Sequence, residues 1–169
     1  MNMHAPQSMQ ATLELRDITA VNHQLISPAN SKPIISITQD SLIGGYLMTK
    51  KTTFFTRKEV FDLMMGIKSF QNKFPEPVKT VNNIDYWSGI QIFSMILPEI
   101  SLESKNKYDE KISVVNGNLL NGPIDKGLLG GSPNGFIRQI HALYGSTRAA
   151  QFINEAQLIT NEYLKKHSF

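Results

Sequence analysis

The sequence predicts an α+β fold: several short helices, a small β-hairpin or sheet element and a closing pair of helices, and not one of the familiar autonomous superfolds. Three observations carry this. Asn116-Gly117, the strongest hairpin signal in the chain, sits between two apolar, strand-prone runs. Helix-period apolar stripes recur, but each is cut short by a breaker such as Pro28, Pro98 or Gly130-Gly131. Near the C-terminal end Ala149, Phe152, Ile153, Ala156, Ile159 and Tyr163 fall on one long helical stripe.

The first helix is expected over residues 8–24. Ser8 is its N-cap, and Ala11, Leu15, Ile18 and Leu25 keep roughly helical spacing. Ser27-Pro28-Ala29-Asn30 ends it, because proline cannot continue the hydrogen-bond ladder and restricts the residue before it. The β-branched run Pro33–Ile37 reads as a strand. A short helix follows from Asp40 through Leu47, with Gly44-Gly45 inside it. Each glycine costs such a helix about 1 kcal/mol relative to alanine, so the pair implies close approach of another backbone. Thr56 and Glu59 have capping-box spacing, and Val60, Phe61, Met64 and Met65 then mark one face, the two methionines as core filling.

Residues 70–86, with Pro75 and Pro77, read as a loop. Trp87-Ser88-Gly89 opens an almost wholly apolar helix, Ile90–Leu97, stopped at Pro98 and therefore buried on most sides. The charged stretch 99–111, which holds the surface pair Asp109-Glu110, reads as a loop. Lys111–Val115 and Asn118–Leu120 are the hairpin strands, and Asn121–Lys126 adds an extended piece. Gly130–Gly135 is a flexible connector to the last two helices, Phe136–Tyr144 and Thr147 to about Lys166.

Composition narrows the function classes. The 169 residues suit one domain or two small ones, and 41% hydrophobic content supports a modest core. Charged residues are only 18%, as expected for a surface rich in neutral polar groups or one covered by a partner. Net charge is +3, from 17 basic and 14 acidic residues, too mild to imply nucleic acid by itself. The nearest thing to a patch is Lys50, Lys51, Arg57 and Lys58, readable as a solvated helix entrance or as a phosphate-facing surface. The absence of cysteine excludes disulfides, thiolate zinc sites and a cysteine nucleophile. No apolar run approaches the roughly 20 residues of a membrane span, and the N-terminal residues lack a secretory signal pattern. His4, His23, His141 and His167 are not at metal-ligand spacing. There is no nucleophile elbow, and neither Gly-Gly pair has the context of a phosphate loop.

Four stretches, in order, resemble the largest subunit of multisubunit DNA-directed RNA polymerases. Met1-Asn2-Met3-His4-Ala5-Pro6-Gln7-Ser8 is similar to the stretch that follows that family's catalytic Asn-Ala-Asp-Phe-Asp-Gly-Asp loop. Ser27-Pro28-Ala29-Asn30-Ser31-Lys32-Pro33-Ile34, then Gln39-Asp40 through Gly44, Tyr46, Met48 and Thr49, resembles its S-P-x-N-x-x-P-I and Q-D-x-x-x-G-x-Y-x-(M/L)-T run. Leu119–Lys126 resembles a hairpin of the pore region. Phe152–Lys166 resembles the helix that leads to the funnel, although Lys166-His167-Ser168-Phe169 departs from the family's H-G-F-S.

The resemblance implies the tail of the active-site domain over residues 1–50 and the pore, or secondary-channel, domain over 51–169. It implies an intracellular nucleotidyltransferase assembly in which nucleotides enter, and backtracked RNA exits, past this segment. Its partners are other polymerase subunits, especially the second-largest, together with DNA template and RNA, and no membrane. Mg²⁺ belongs to the assembled enzyme but not to residues of this chain, because the catalytic aspartates of the family loop are absent from it; alone, the chain is expected to be inactive. Asn2 and His4 are implied to support the active centre without being catalytic. Gln39 and Asp40 are expected either to line the pore or to cap the helix that starts there. The alternative of another class is a non-catalytic, polymerase-derived accessory or nucleic-acid-binding protein.

Overall fold

The computed structural model describes residues 2–70, 73–105 and 111–168, so the expected Asp109-Glu110 pair lies outside the described residues. Helix α1 spans Met9–Asp17, capped by Ser8, whose hydroxyl accepts the Ala11 N–H at 3.2 Å. It stops well before residue 24, and only a 3₁₀ turn, Val21–His23, follows. No residue of α1 is buried, so nothing beyond local propensity holds it, and β-branched Ile18, Thr19 and Val21 end it. The expected strand at 33–37 is absent. Pro33 makes one isolated bridge to Ile26, and the chain turns through Ser31 at φ 54°. Proline supplies no N–H there, and the pairing with residues 25–27 stops at that bridge, flanked by the Ile34 N–H to Leu25 O and Ser27 N–H to Lys32 O bonds, each 2.8 Å.

Helix α2 (Gln39–Met48) begins one residue after its N-cap, Thr38. Gly44 and Gly45 do admit a close neighbour. A Cβ on Gly44 would stand 3.1 Å from the Thr160 carbonyl, and one on Gly45 2.8 Å from Leu129 Cδ1. Both contacts involve the C-terminal region, so α2 is sunk into the chain's last helices.

Strand β1 (Phe54–Thr56) runs directly into helix α3 (Arg57–Met64). Glu59 accepts both the backbone N–H and the hydroxyl of Thr56, each at 2.7 Å, as the capping-box spacing predicts. The buried stripe of α3 is Val60, Leu63 and Met64; Phe61 and Met65 are exposed, so only one methionine of the pair fills the core. The correction follows from helical geometry, since 60, 63, 64 and 67 share a face that 61 and 65 leave.

The expected loop 70–86 contains two strands, β2 (Lys79–Val81) and β3 (Ile84–Ser88), joined by Asn82-Asn83 at φ 50° and 60°. Asparagine tolerates this left-handed region, so the pair makes the same turn that Asn-Gly signals elsewhere. The sheet order is β1-β3-β2, all antiparallel, with Phe55 opposite Trp87 and Thr56 opposite Tyr86. Phe55 and Trp87 are buried, so by strand alternation Phe54 and Tyr86 face outward.

Trp87 thus belongs to β3, and helix α4 (Gly89–Ser94) is shorter than expected. Ser88 and Gln91 form its capping box, with reciprocal bonds of 3.3 and 3.2 Å. Ile92, Phe93 and Ile96 are fully buried, as an apolar helix requires. The second sheet, β4-β5-β6, comprises β4 (Leu102–Lys105), β5 (Lys111–Val115) and β6 (Asn118–Leu119). The hairpin at Asn116-Gly117 is as predicted, with φ 48° and 76°. Strand β4 lay hidden in the charged segment read as a loop, because only Leu102 in it is apolar.

One turn of helix, α5 (Lys126–Leu129), precedes the Gly130–Gly135 connector. That connector is a packed turn and not an open tether: the Gly130 N–H bonds to Lys126 O at 2.9 Å, and Gly135 is buried against the Leu128 carbonyl. Helix α6 (Phe136–His167) is two helices broken at Gly145 (φ 81°), matching the two predicted. All six residues of its predicted stripe are buried. Phe93, Phe136 and Phe152 pack with ring centroids 6.1–6.3 Å apart, within a single core that joins residues from both sides of position 50.

Candidate functional site

The α6 face opposite the core carries amides. Gln151, Asn154, Gln157 and Asn161 line a recess of about 720 Å³ whose other wall includes Asn22, Gly66 and Lys68. Gln157 and Asn161 also border a second recess, of about 270 Å³, formed with Gln39, Asp40 and Ser41 at the start of α2. The shared residues make one polar trough along α6, with Lys68, Glu155 and Asp40 among the amides. The Ser41 hydroxyl bonds Asn161 Oδ1 at 3.1 Å and ties its two walls.

Gln39 and Asp40 are therefore placed in this trough, in the first turn of α2. Thr38, not either of them, occupies the cap position, and it makes no side-chain cap bond. Gln39 adopts φ 53°, the left-handed region that costs a side-chain-bearing residue about 1–2 kcal/mol. Asn2 and His4 lie elsewhere, exposed on the segment before α1. His4 borders an apolar recess of about 370 Å³ with Pro6, Leu15 and Ile18. His4 and the Gln39–Asp40 pair thus line separate recesses.

Sequence reasoning missed Gln157 and Asn161, which reach the trough from more than a hundred positions away. The only trace of them in the sequence is the polar side of the last apolar stripe. Thr49, the last residue of the family-like run, is a buried tie at the end of α2. The Thr49 hydroxyl donates to Gly45 O at 2.7 Å and accepts the Ile124 N–H at 2.9 Å, fixing the 122–126 segment to the end of α2. On the outer side of α2, Leu42, Ile43 and Tyr46 face Lys32, Lys126 and Pro133 across a cleft of about 1040 Å³.

Perturbed ionisations lie away from the trough. Burial acts to raise the Glu59 carboxyl, but the Thr56 hydrogen bonds and neighbouring His167 and Lys166 hold it below its ordinary value. The Lys166 hydrogen bond, at 2.6 Å, lowers exposed Asp62. Burial raises Tyr163. Among the described residues, no three His, Asp or Glu side chains are grouped to hold a metal ion. No described helix is long and apolar enough to cross a membrane.

Amides and hydroxyls, together with Lys68, Glu155 and Asp40, line these recesses on a tightly cored frame. The family model described as RNA polymerase Rpb1, domain 3, matches residues 24–169, and the chain belongs to that family. DNA-directed RNA polymerase II subunits RPB1-B and RPB1-A of Trypanosoma brucei brucei are each 34% identical to it over 176 residues, covering 100% of this chain. DNA-directed RNA polymerase subunit Rpo1N of Thermococcus celer is 31% identical over 186 residues, covering 92% of this chain. The chain spans 10% of the length of the trypanosome relatives and 21% of the archaeal one.

Proposed function

We propose that this chain acts as part of the largest subunit of a DNA-directed RNA polymerase, forming wall in the active-site cavity and nucleotide-entry pore. The observation that carries the reading is the family match over residues 24–169. In this reading residues 1–50 continue the active-site domain and 51–169 form the pore domain. Asn2 and His4 support the active centre from the exposed N-terminal segment. Gln39 and Asp40 present neutral and anionic oxygen to the pore, or serve to seat α2 on α6.

Among the described residues no three His, Asp or Glu side chains are grouped to hold a metal. In this reading the Mg²⁺ of the assembled enzyme, which would stabilise the attacking and leaving oxygens of nucleotidyl transfer, belongs to other parts of the polymerase. What this chain contributes is shape. The Thr49 tie and the glycine-mediated seat of α2 on α6 hold the trough rigid, so that passing solutes meet a fixed polar surface. The second-largest subunit, template DNA and product RNA are its partners in this reading, and its place is intracellular.

The test is reconstitution. Tagged chain, purified under mild conditions, is expected to bring down the second-largest subunit and a polypeptide bearing the catalytic aspartates. That complex is expected to extend RNA on a primer–template with Mg²⁺ and nucleotides, whereas the isolated chain incorporates none. Extension by the chain alone, or purification without the second-largest subunit, would sink the proposal.

A further inference from the structure

The chain holds three Asn-Gly dipeptides, at Asn116-Gly117, Asn121-Gly122 and Asn134-Gly135. Asparagine is among the chemically labile residues, and a following glycine puts no Cβ in the way when its own nitrogen attacks the asparagine side chain. All three asparagines are exposed and all three glycines are buried, so exposure does not rank them. The backbone does. At the hairpin turn the Gly117 N–H donates to Ile100 O at 2.9 Å, and the Asn116 N–H to Ser101 Oγ at 3.2 Å. Ahead of α6 the Gly135 N–H donates to Ser132 O at 3.1 Å, and the Asn134 N–H to Ser132 Oγ at 3.4 Å. The Gly122 N–H has no acceptor among the described residues, and the Asn121 side chain makes no hydrogen bond among them either.

Asn121 and Asn134 border the same recess, of about 690 Å³, together with Glu103, Lys105 and Lys111. The charged groups around the two are therefore shared, and what separates them is the bond on the following N–H. That N–H must give its proton to solvent base and turn toward the side chain, so a carbonyl that holds it opposes both steps.

We infer that Asn121 is a modification site, converted without an enzyme to aspartate and isoaspartate. The Gly122 nitrogen loses its proton to base and bonds to Asn121 Cγ. The side-chain nitrogen takes up a proton and departs as ammonia, leaving a cyclic imide. A water molecule from solvent then opens the imide. Cleavage between Cγ and the nitrogen restores the ordinary chain with aspartate at this position. Cleavage between the nitrogen and the main-chain carbonyl carbon leaves isoaspartate, whose chain runs through Cγ. Nothing is oxidised or reduced. Either product places a new carboxylate in the recess that Lys111 also borders. The isoaspartate form also lengthens the main chain by a methylene just ahead of Gly122, where a Cβ would stand 2.4 Å from Thr49 O. The inference does not rest on the proposed function, since it concerns the chain's own chemistry.

The test ages the whole chain in warm, mildly alkaline buffer made with heavy-oxygen water, folded and, in parallel, in urea. Digestion and fragment-ion mass spectrometry assign each converted asparagine, and the heavy label separates conversion during ageing from conversion during digestion. In the folded chain Asn121 is expected to convert about tenfold faster than Asn116 and Asn134, the factor that one retained hydrogen bond gives. In urea the three rates are expected to converge to within about threefold, because those bonds are then lost. Asn121→Gln, at an exposed position, is expected to remove the product there and leave the rates at Asn116 and Asn134 within about twofold of the parent. Conversion at Asn116 or Asn134 as fast as at Asn121 in the folded chain would overturn the inference. So would an unconverted Asn121 in the folded chain while the urea sample converts, or the same ranking of the three in urea.

Discussion

Three glycines separate steric from conformational control of this fold, and Gly89 is the decisive one. It starts α4 where that helix meets the end of α2, and a Cβ there would lie 1.9 Å from the Met48 carbonyl oxygen and 2.8 Å from its carbon. Real Cβ contacts essentially never fall under 3.0 Å, so α2 and α4 must separate by about 1 Å. Met48, Ile92 and Phe93 are all fully buried beside this junction, so the separation opens the core. Overpacking alone costs about 1–3 kcal/mol, and here backbone meets backbone, which puts Gly89→Ala at the top of that range, about 3 kcal/mol. For a chain of this size that is a fall in Tm of about 6–12 °C. Gly66→Ala meets nothing within 4 Å, so it is expected to be neutral or to stabilise by about 0.5 kcal/mol. Gly145→Ala also meets open space, but at φ 81°, and is expected to cost about 1–2 kcal/mol through backbone strain alone. Thermal denaturation of the three variants by circular dichroism gives the order. A Gly89→Ala protein melting within about 2 °C of the parent would refute the close packing of α2 on α4.

Three further outcomes are expected. Thr49→Val leaves the buried Ile124 N–H without its acceptor and should cost about 2 kcal/mol in urea denaturation, whereas Thr49→Ser should cost less than about 1. Glu155, buried on α6, accepts the Ser69 N–H at 3.1 Å, Gln151 Nε2 at 2.8 Å and Arg148 at 3.5 Å. Glu155→Ala strands these donors and should cost about 3 kcal/mol, with Glu155→Gln closer to the parent. Glu59 is held below its ordinary pKa, so its contribution is fully present above the unfolded carboxylate value and is lost as pH falls through the folded one. The urea midpoint should therefore be flat above about pH 5 and fall toward pH 3, and Glu59→Gln should be less stable at neutral pH with a shallower acid limb.

What could be read from the sequence was whatever is encoded locally. The Thr56–Glu59 box, the Asn116-Gly117 turn and the break before Thr147 each depend on residues within a few positions of one another, and each stands in the structure. The α6 stripe was legible for the same reason, since one helix carries all of it. The failures are of the opposite kind. Strand β4 has three polar or charged residues out of four and exists because β5 lies beside it, which no local pattern states. The 33–37 run has strand composition, but its pairing with residues 25–27 ends at the Ile26–Pro33 bridge, so its β-branched residues pack as irregular chain. Asn82-Asn83 carried a local signal that was overlooked, because prolines before it suggested a loop throughout. The trough was half legible: Gln39 and Asp40 stood out through family resemblance, while Gln157 and Asn161 join them only after α2 settles on α6.

That seating also separates the two surfaces. The trough occupies α6 around Gln151–Asn161, and the basic end begins at Lys165 on the same helix. From Asn154 to Lys165 the helix rises about 16 Å, at about 1.5 Å per residue. The screening length in physiological salt is about 8 Å, so charge at the β1 end is largely invisible from the middle of the trough. Seating α2 against α6 through Gly44 and Gly45 is what keeps the surfaces at fixed separation, because loss of that contact frees Ser41 from Asn161 while leaving β1 tied to Tyr163 and His167. A bulky residue at Gly45 should accordingly disturb the trough and spare the packing of β1 on α6, which amide hydrogen exchange of the two segments would check.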